Sequence, residues 1–477
     1  MSRLFVFISA LALSSVAMYS RIAHMTCDFP SGWLACSVPD GLLGKIAAGA
    51  LLSALFAFGM RTAVSEIPAM RGTGNAWAAA AIVFIAILIA PFGSGDMNYY
   101  YGAGVAGNAG KNVFFDAWSR PDLGTAHSSL TSGFSYGPIM AVFFSSVVRI
   151  ARGDHLLFAA YWKFFMLAAY AAFLLAFSLV VRREHDLLLL AFQPLILFEW
   201  LGNGHFDALW LSFLCLALHD AEHDRFVRSA LWLAIGTWIK FLPILAAPWI
   251  CLMWLDRART KKLSALCAEP IAAAAAFALV TYAAWLPYWR GFSTLRPIVI
   301  QSKWAVMSVF SSAYYSLRPV FEYGFGGGYH WWLTRFVQGA ILCLIAYFMH
   351  PLVPAFFRLR AKGPVPKEFF RFGVALTFFL FVMLWQKSFW PWYGAWLTAP
   401  LVMGFGSRER ETVLWLLAAP FIFYPAWFIA SLSGVSDATP ELWFSLLMTC
   451  AVWAYPAWRL VRLRRERYSS FICPEEK

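Results

Sequence analysis

The chain has 477 residues, of which 61% are hydrophobic and 13% charged, with 38 Lys and Arg against 25 Asp and Glu and a formal net charge of +13. No soluble protein of this size needs so much apolar surface. Apolar runs long enough to cross a bilayer recur from end to end, which predicts an all-α, polytopic membrane protein with about 12–14 transmembrane helices. The runs are continuous, not alternating, so a barrel is excluded. The basic residues fall mainly in short loops between the runs, so the charge is read as membrane orientation and not as a nucleic-acid partner.

In chain order, spans are predicted at about 4–19, 41–59, 76–92, 156–181, 187–201, 207–220, 229–241, 242–256, 268–288, 333–349, 371–386, 393–406, 413–430 and 440–458. The first run has the shape of a signal peptide but lacks a small-x-small cleavage site, and is read as a retained helix. Cys27 and Cys36 share one short loop, TCDFPSGWLACSVPD, and are either a disulfide or two free thiols. Cys215, Cys251, Cys343 and Cys450 lie in apolar runs as packing residues, and no Cys/His spacing suggests a metal site.

The basic stretches VVRREHD, DRARTKK, FRLRAKGPVPKEFFR, GSRER and WRLVRLRRER are all predicted to face the cytoplasm. Fourteen spans with the N-terminus inside satisfy every one of them. That topology also puts the C-terminus inside and segments 93–155, 202–206, 289–332 and 386–392 outside. Reading YGPIMAVFFSSVVRIAR, residues 136–152, as a span would invert every later loop. It is predicted instead as an amphipathic helix in the outer interface, with Arg149 and Arg152 at the headgroups. Three parts follow: an N-terminal transmembrane hairpin at 1–75, a transmembrane core at 76–288 with the external loop 93–155, and a C-terminal transmembrane part at 289–477 with the external loop 289–332.

Five stretches carry ionisable or aromatic groups where apolar sequence is the rule. In SGDMNYYYGAG, Asp96 stands at the outer mouth of a span, where it is either a helix cap or a general base. The adjoining GAGVAG matches G-x-G-x-x-G but follows a span and not a buried strand, so its small residues are read as a helix-packing surface and not as a dinucleotide site. In FEWLGNGHFDAL, His205 and Asp207 occupy a junction between spans. They are either a polar turn around Asn203-Gly204 or substrate-binding groups, with Glu199 just inside the run. In IGTWIKFLPILAAPW, Lys240 interrupts an apolar run at a cost of roughly 2.5–3.5 kcal/mol if it sits at mid-membrane. It either snorkels or serves as a counter-charge for a phosphate.

The external loop from residue 289 holds Arg290, Arg296, Lys303, Arg318, Glu322, His330 and Arg335, a cationic set that faces either an anionic ligand or lipid headgroups. In WQKSFWPWYGAW, Trp385, Trp390, Trp392 and Tyr393 with Lys387 form either an interfacial belt or a surface for a sugar ring or a lipid tail.

These motifs, in this order over residues 76–400, resemble the GT-C superfamily of membrane glycosyltransferases, and within it the prokaryotic polyprenyl-phosphate-mannose-dependent α-mannosyltransferases. The resemblance rests on SGDMNYYYGAG, SYGP, NGHFDAL, IGTWIKFLPILAAPW and FWPWY. It implies a GT-C-like catalytic core with interfacial helices in its first external loop, and Asp96 as catalytic base. It also implies His205, Asp207 and Lys240 at the substrate; the cationic loop and the aromatic cluster add Arg290, Arg296, His330, Trp392 and Tyr393 as further substrate-binding candidates. The implied reaction is inverting transfer of a hexose, mannose by analogy, from a polyprenyl-phosphate sugar to a glycan or glycolipid acceptor. It takes place at the extracytoplasmic face of the plasma (inner) membrane, with no metal or other cofactor. The hairpin at 1–75 and Phe206 depart from the family pattern. A transporter or flippase of lipid-linked saccharides is the alternative. Such carriers place polar groups near the midplane and show internal pseudo-repeats, whereas the ionisable groups here gather on one side.

Overall fold

The computed structural model describes residues 96–116, 134, 136–181, 184–191, 194–260, 263–295, 308–386, 390–405 and 442–472. The predicted spans at 4–19, 41–59, 76–92 and 413–430, the Cys27/Cys36 question, Arg296, Lys303 and Lys387 lie outside these residues. Among the described residues there are helices and turns and no strand. Those of Met1–His219, Arg228–Ile244 and Ala273–Gln301 form one compact unit. Those of Asp220–Val227, Leu245–Ala272 and Ser302–Lys477 form a second.

The first unit opens with α1, Asp96–Asn108, and α2, Pro138–Ile150. Pro138 starts α2 because its fixed φ suits the first helical turn and its missing N–H is not needed there. α1 buries Tyr99, Tyr100, Tyr101, Gly102, Ala103, Gly104 and Ala106, so both of its faces are covered. A Cβ at Gly104 would lie 2.5 Å from Val148 Cγ2 and 2.6 Å from the Phe144 carbonyl oxygen of α2. The GAGVAG stretch is therefore a close helix–helix contact, and it lies inside a helix where a dinucleotide fingerprint cannot form. At 13 residues, α2 is about 20 Å long, too short to cross a hydrocarbon core of about 30 Å. It buries Met140, Phe144 and Val148 and exposes Val142 and Ile150, consistent with the amphipathic helix expected at 136–152.

A turn with two left-handed residues, Arg152 at φ 54° and Gly153 at φ 74°, ends α2. Asp154 then caps α3, His155–Val180, by accepting from the Leu157 N–H at 2.8 Å. α3 is long and apolar enough to span a membrane, and so are Cys267–Trp285, Tyr329–Lys362 and Lys367–Trp385, which makes this a multi-pass membrane protein. α3 leaves Leu156, Phe164, Leu175 and Leu179 uncovered, a surface suited to lipid and not to water.

The remaining elements follow in chain order. They are α4 (Glu184–Ala191), α5 (Asp207–Glu222), α6 (Phe226–Ile239), α7 (Ala247–Arg257), α8 (Leu263–Trp285), α9 (Val309–Phe325), α10 (Tyr329–Met349), α11 (Leu352–Lys362), α12 (Lys367–Leu380), α13 (Pro391–Phe405) and α14 (Leu442–Ile472). Of the described side chains of α8 only Trp285 is buried.

Four expectations change. The run at 187–201 does not stay α-helical to its end: after Pro194–Ile196 the backbone widens into the π-helical turn Leu197–Gly202. The run at 242–256 starts as a 3-10 turn, Leu242–Ala246, and becomes α-helical only from Ala247. The stretch 289–332, expected to be an external loop, contains the 17-residue helix α9. The basic stretch after residue 356 is helical to Lys362, where Gly363 ends it. Charged and aromatic residues interrupt the apolar pattern in both of these helices, so a search for uninterrupted apolar runs misses them.

Candidate functional site

The polar residues of the first unit converge from six short segments. Asp96 is in the first turn of α1. Tyr136 precedes α2. Glu199 lies in the π-helical turn, Asn203 to His205 form the reversal after it, and Asp207 is in the first turn of α5. Lys240 immediately follows α6.

Local backbone chemistry explains each placement. Gly204, at φ 77°, takes the left-handed conformation the reversal needs, and its carbonyl accepts from Trp162 Nε1 of α3 at 2.9 Å. The His205 N–H returns to the Glu199 carbonyl at 3.0 Å, which closes the turn. Gly137 N–H donates to the Ile239 carbonyl, freed at the end of α6, at 3.1 Å. The approach is so close that a Cβ on Gly137 would sit 1.9 Å from the Trp238 carbonyl oxygen. The Tyr-Gly-Pro motif thus presses the segment before α2 onto the end of α6 and sets Tyr136 beside Lys240, whose Nζ lies 5.7 Å from the centre of the Tyr136 ring.

Two linked groups result. In the first, Asp207 Oδ1 accepts from Lys240 Nζ at 2.5 Å and from Trp210 Nε1 at 2.8 Å. Asp207 is 1% exposed, so its charge is stable there only because these donors meet it. Its other oxygen, Oδ2, is buried without a hydrogen-bond donor, as is Asn203 Oδ1. In the second group, His205 stands between two carboxylates. Its Nδ1 is 3.4 Å from Asp96 Oδ2, and its Nε2 is 3.5 Å from Glu199 Oε2. Glu199 is fully buried and accepts from Asn203 Nδ2 at 2.8 Å. Asp96 is a third exposed and also faces the Tyr136 hydroxyl at 3.5 Å. Burial pushes His205 below the usual imidazole range, against the pull of Asp96 and Asp207.

An aromatic wall backs both groups. Tyr100 stacks on Phe144 with centroids 4.7 Å apart, and Phe206 meets Tyr136 edge-on at 4.8 Å. Lys240 Nζ lies 5.6 Å from the Phe206 ring centre, so Phe206 and Tyr136 enclose its ammonium.

Of the residues singled out in the sequence, Asp96, His205, Asp207 and Lys240 meet here. Arg290 belongs to the same unit but is half exposed. It lies 3.7 Å from Asp116 and 5.4 Å from the Phe115 ring centre. His330, Trp392 and Tyr393 belong to the second unit. There His330 Nδ1 is 2.6 Å from the Tyr314 hydroxyl, Tyr393 stacks on Trp396 at 3.7 Å, and Trp392 lies in α13. The sequence reading missed Tyr136 and Trp210 as members of the site. Trp210 is legible in retrospect, since it follows Asp207 by three positions on one helix and so shares its face. Among the described residues no group of His, Cys, Asp or Glu is arranged to hold a metal ion.

Comparison with curated protein sequences gave no match. Residues 4–256 match the family described as Alpha-(1->6)-mannopyranosyltransferase, N-terminal domain. The matched stretch is more than half of the chain and contains Asp96, Tyr136, Glu199, His205, Asp207 and Lys240. It selects a transferase over a carrier of saccharides. The chain belongs to the alpha-(1->6)-mannopyranosyltransferase family of GT-C membrane mannosyltransferases.

Proposed function

We propose that the protein moves mannose, with inversion, from a polyprenyl-phosphate donor to a hydroxyl of a glycan or glycolipid at the extracytoplasmic face, with Asp96 as general base. The observation that carries this reading is the partly open Asp96 carboxylate, held 3.4 Å from His205 in a cluster that also contains Lys240 and Asp207. A carboxylate open to one side and backed by a polar cluster can accept a proton from an incoming hydroxyl, a contribution of about 10²–10⁴-fold in rate.

In the reaction the acceptor O–H proton passes to Asp96, and the acceptor oxygen attacks the anomeric carbon opposite the phosphate. The bond from that carbon to the phosphate oxygen breaks as the new glycosidic bond forms. An α-linked product made with inversion requires a β-linked donor. The departing lipid phosphate gains negative charge, and a cation stabilises it more than a proton does. Lys240, bonded to Asp207, and Arg290, in the same unit, are the cations assigned to that charge.

The test uses purified wild-type protein and Asp96→Asn in lipid nanodiscs supplied with polyprenyl-phosphate mannose and a mannoside acceptor. Release of polyprenyl phosphate is the readout. Loss of release in a folded Asp96→Asn protein is the expected result, and near-normal release overturns the assignment.

A further inference from the structure

Resting on the reading of Asp96 as base, we propose that Glu199 and His205 form a proton relay behind it, with Glu199 as the residue that positions the imidazole. Neither of them has to touch the sugar in this arrangement. Glu199 is fully buried in the π-helical turn, a backbone form that often marks functional sites. Its carboxylate is held by Asn203 at 2.8 Å and faces His205 Nε2 at 3.5 Å. The opposite ring nitrogen faces Asp96 Oδ2 at 3.4 Å.

A histidine between two carboxylates is constrained by its own proton count. A neutral imidazole carries one N–H, and the buried carboxylate of Glu199 draws that hydrogen to Nε2. Nδ1 then turns a lone pair toward Asp96. When Asp96 takes the proton of the acceptor hydroxyl, it gains a hydrogen to share with Nδ1. The proton either stays on Asp96 or crosses to give an imidazolium between two carboxylates. In both forms the trio has gained one proton, the acceptor has lost one, and the proton later leaves to solvent. Among the described residues, the charged and titratable groups facing His205 include Asp96 of α1, Glu199 of the π-helical turn, Asp207 of α5 and Lys240 after α6, with Tyr136 on Asp96. Burial pushes the imidazole below its usual range, the direction that favours the neutral resting form the relay uses.

The experiment is a kinetic double-mutant cycle on the purified full-length protein with polyprenyl-phosphate mannose and a mannoside acceptor. Glu199→Gln keeps the shape and the Asn203 contact but removes the charge. It is expected to lower kcat about 10–100-fold, the usual cost of removing a carboxylate that orients a functional histidine, with both KM values near wild type. His205→Gln is expected to lose a similar factor. The double variant is expected to lose no more than His205→Gln alone, because residues acting through one another are not additive. A Glu199→Gln protein with wild-type kcat overturns the relay, and so does a double variant whose loss is the product of the two single losses. If Glu199→Gln does not accumulate, Asn203→Ala reads the same contact by freeing the carboxylate, and wild-type kcat there overturns the proposal. Asp96→Asn run in parallel separates the two ideas. An active Asp96→Asn removes the base itself, whereas an inactive one beside a fully active Glu199→Gln removes only the relay.

Discussion

In the second unit, Glu222 at the end of α5 grips Arg371 of α12 with both carboxylate oxygens, at 2.5 and 2.6 Å. Asp256 of α7 gives one oxygen to Arg259 at 3.0 Å and the other to the Val365 N–H at 2.9 Å. In the first unit, Asp207 receives both of its donors on one oxygen and leaves the other without any. Asn203 has a buried acceptor in the same condition, and His205 stands between two carboxylates at 3.4 and 3.5 Å. A polar group buried without a partner destabilises a protein by about 1–3 kcal/mol, so folding alone selects saturated pairs such as Glu222 with Arg371. Asp207 Oδ2 and Asn203 Oδ1, without a hydrogen-bond partner, lie at the π-helical turn and α5 beside the proposed base, where Glu222 and Asp256 have both oxygens met. That contrast separates groups that hold helices together from groups kept for a reaction.

The largest effect expected on either side of the contrast is that of Asp96→Asn. It should lower turnover by about 10²–10⁴-fold while membrane yield and thermal melting stay near wild type. Turnover and melting measured on one preparation check both halves. A large drop in melting temperature would move Asp96 into the class of Glu222. Next comes Arg371→Leu, which strands the Glu222 charge in a site where it is almost fully buried. Breaking a buried pair from one side costs about 3–5 kcal/mol, so this variant should melt far earlier in detergent. Adding Glu222→Leu should restore most of the loss, because an apolar pair of similar volume no longer carries an unpaired charge. Turnover per folded molecule should hold through both changes.

Much of this contrast was legible before any coordinates. The apolar run at 156–181 became α3, His155–Val180, because a continuous apolar stretch of that length leaves the backbone no other way to satisfy its polar groups in lipid. Asp96, His205, Asp207 and Lys240 stood out because ionisable residues flanked by apolar sequence are costly and rarely idle. Their pairing was not legible. Lys240 reaches Asp207 across 33 residues and Tyr136 reaches Asp96 across 40, and only helix packing decides such contacts. Lys240 was read as a counter-charge for phosphate, yet its nearest partner is a carboxylate of its own chain. Glu199 looked like one more residue at the end of a span, because the π-helical turn that aims it at His205 leaves no pattern in the sequence.

Gly137→Ala tests whether packing or charge sets the alignment of the site. The new methyl would meet the Trp238 carbonyl oxygen at 1.9 Å, so the segment carrying Tyr136 must retreat from the end of α6. Overpacking of this kind costs about 1–3 kcal/mol. The same retreat removes the hydrogen bond from Gly137 to Ile239 and shifts Tyr136 away from Lys240 and Asp96. Turnover should therefore fall by up to about 100-fold, as misplacements near 1 Å do. Melting and kinetics read together decide the matter. A destabilised protein with full turnover per folded molecule would show that Tyr136 has no part in aligning Asp96.

The smallest effect belongs to a pair that is saturated but open to water. Arg318 and Glu322 of α9 lie one helical turn apart at 3.4 Å, and both side chains are about half exposed. Water solvates each charge whether or not the other is present, so the pair is worth no more than about 0.3–0.5 kcal/mol. Glu322→Ala should leave the melting temperature almost where it was, and raising the salt concentration should leave even less difference from wild type. The comparison with Arg371→Leu is the informative one, since both changes delete one member of an ion pair within the second unit. If the two cost the same, burial is not what makes the Glu222 pair structural, and the partner-poor polar atoms around His205 lose their meaning as a mark of function.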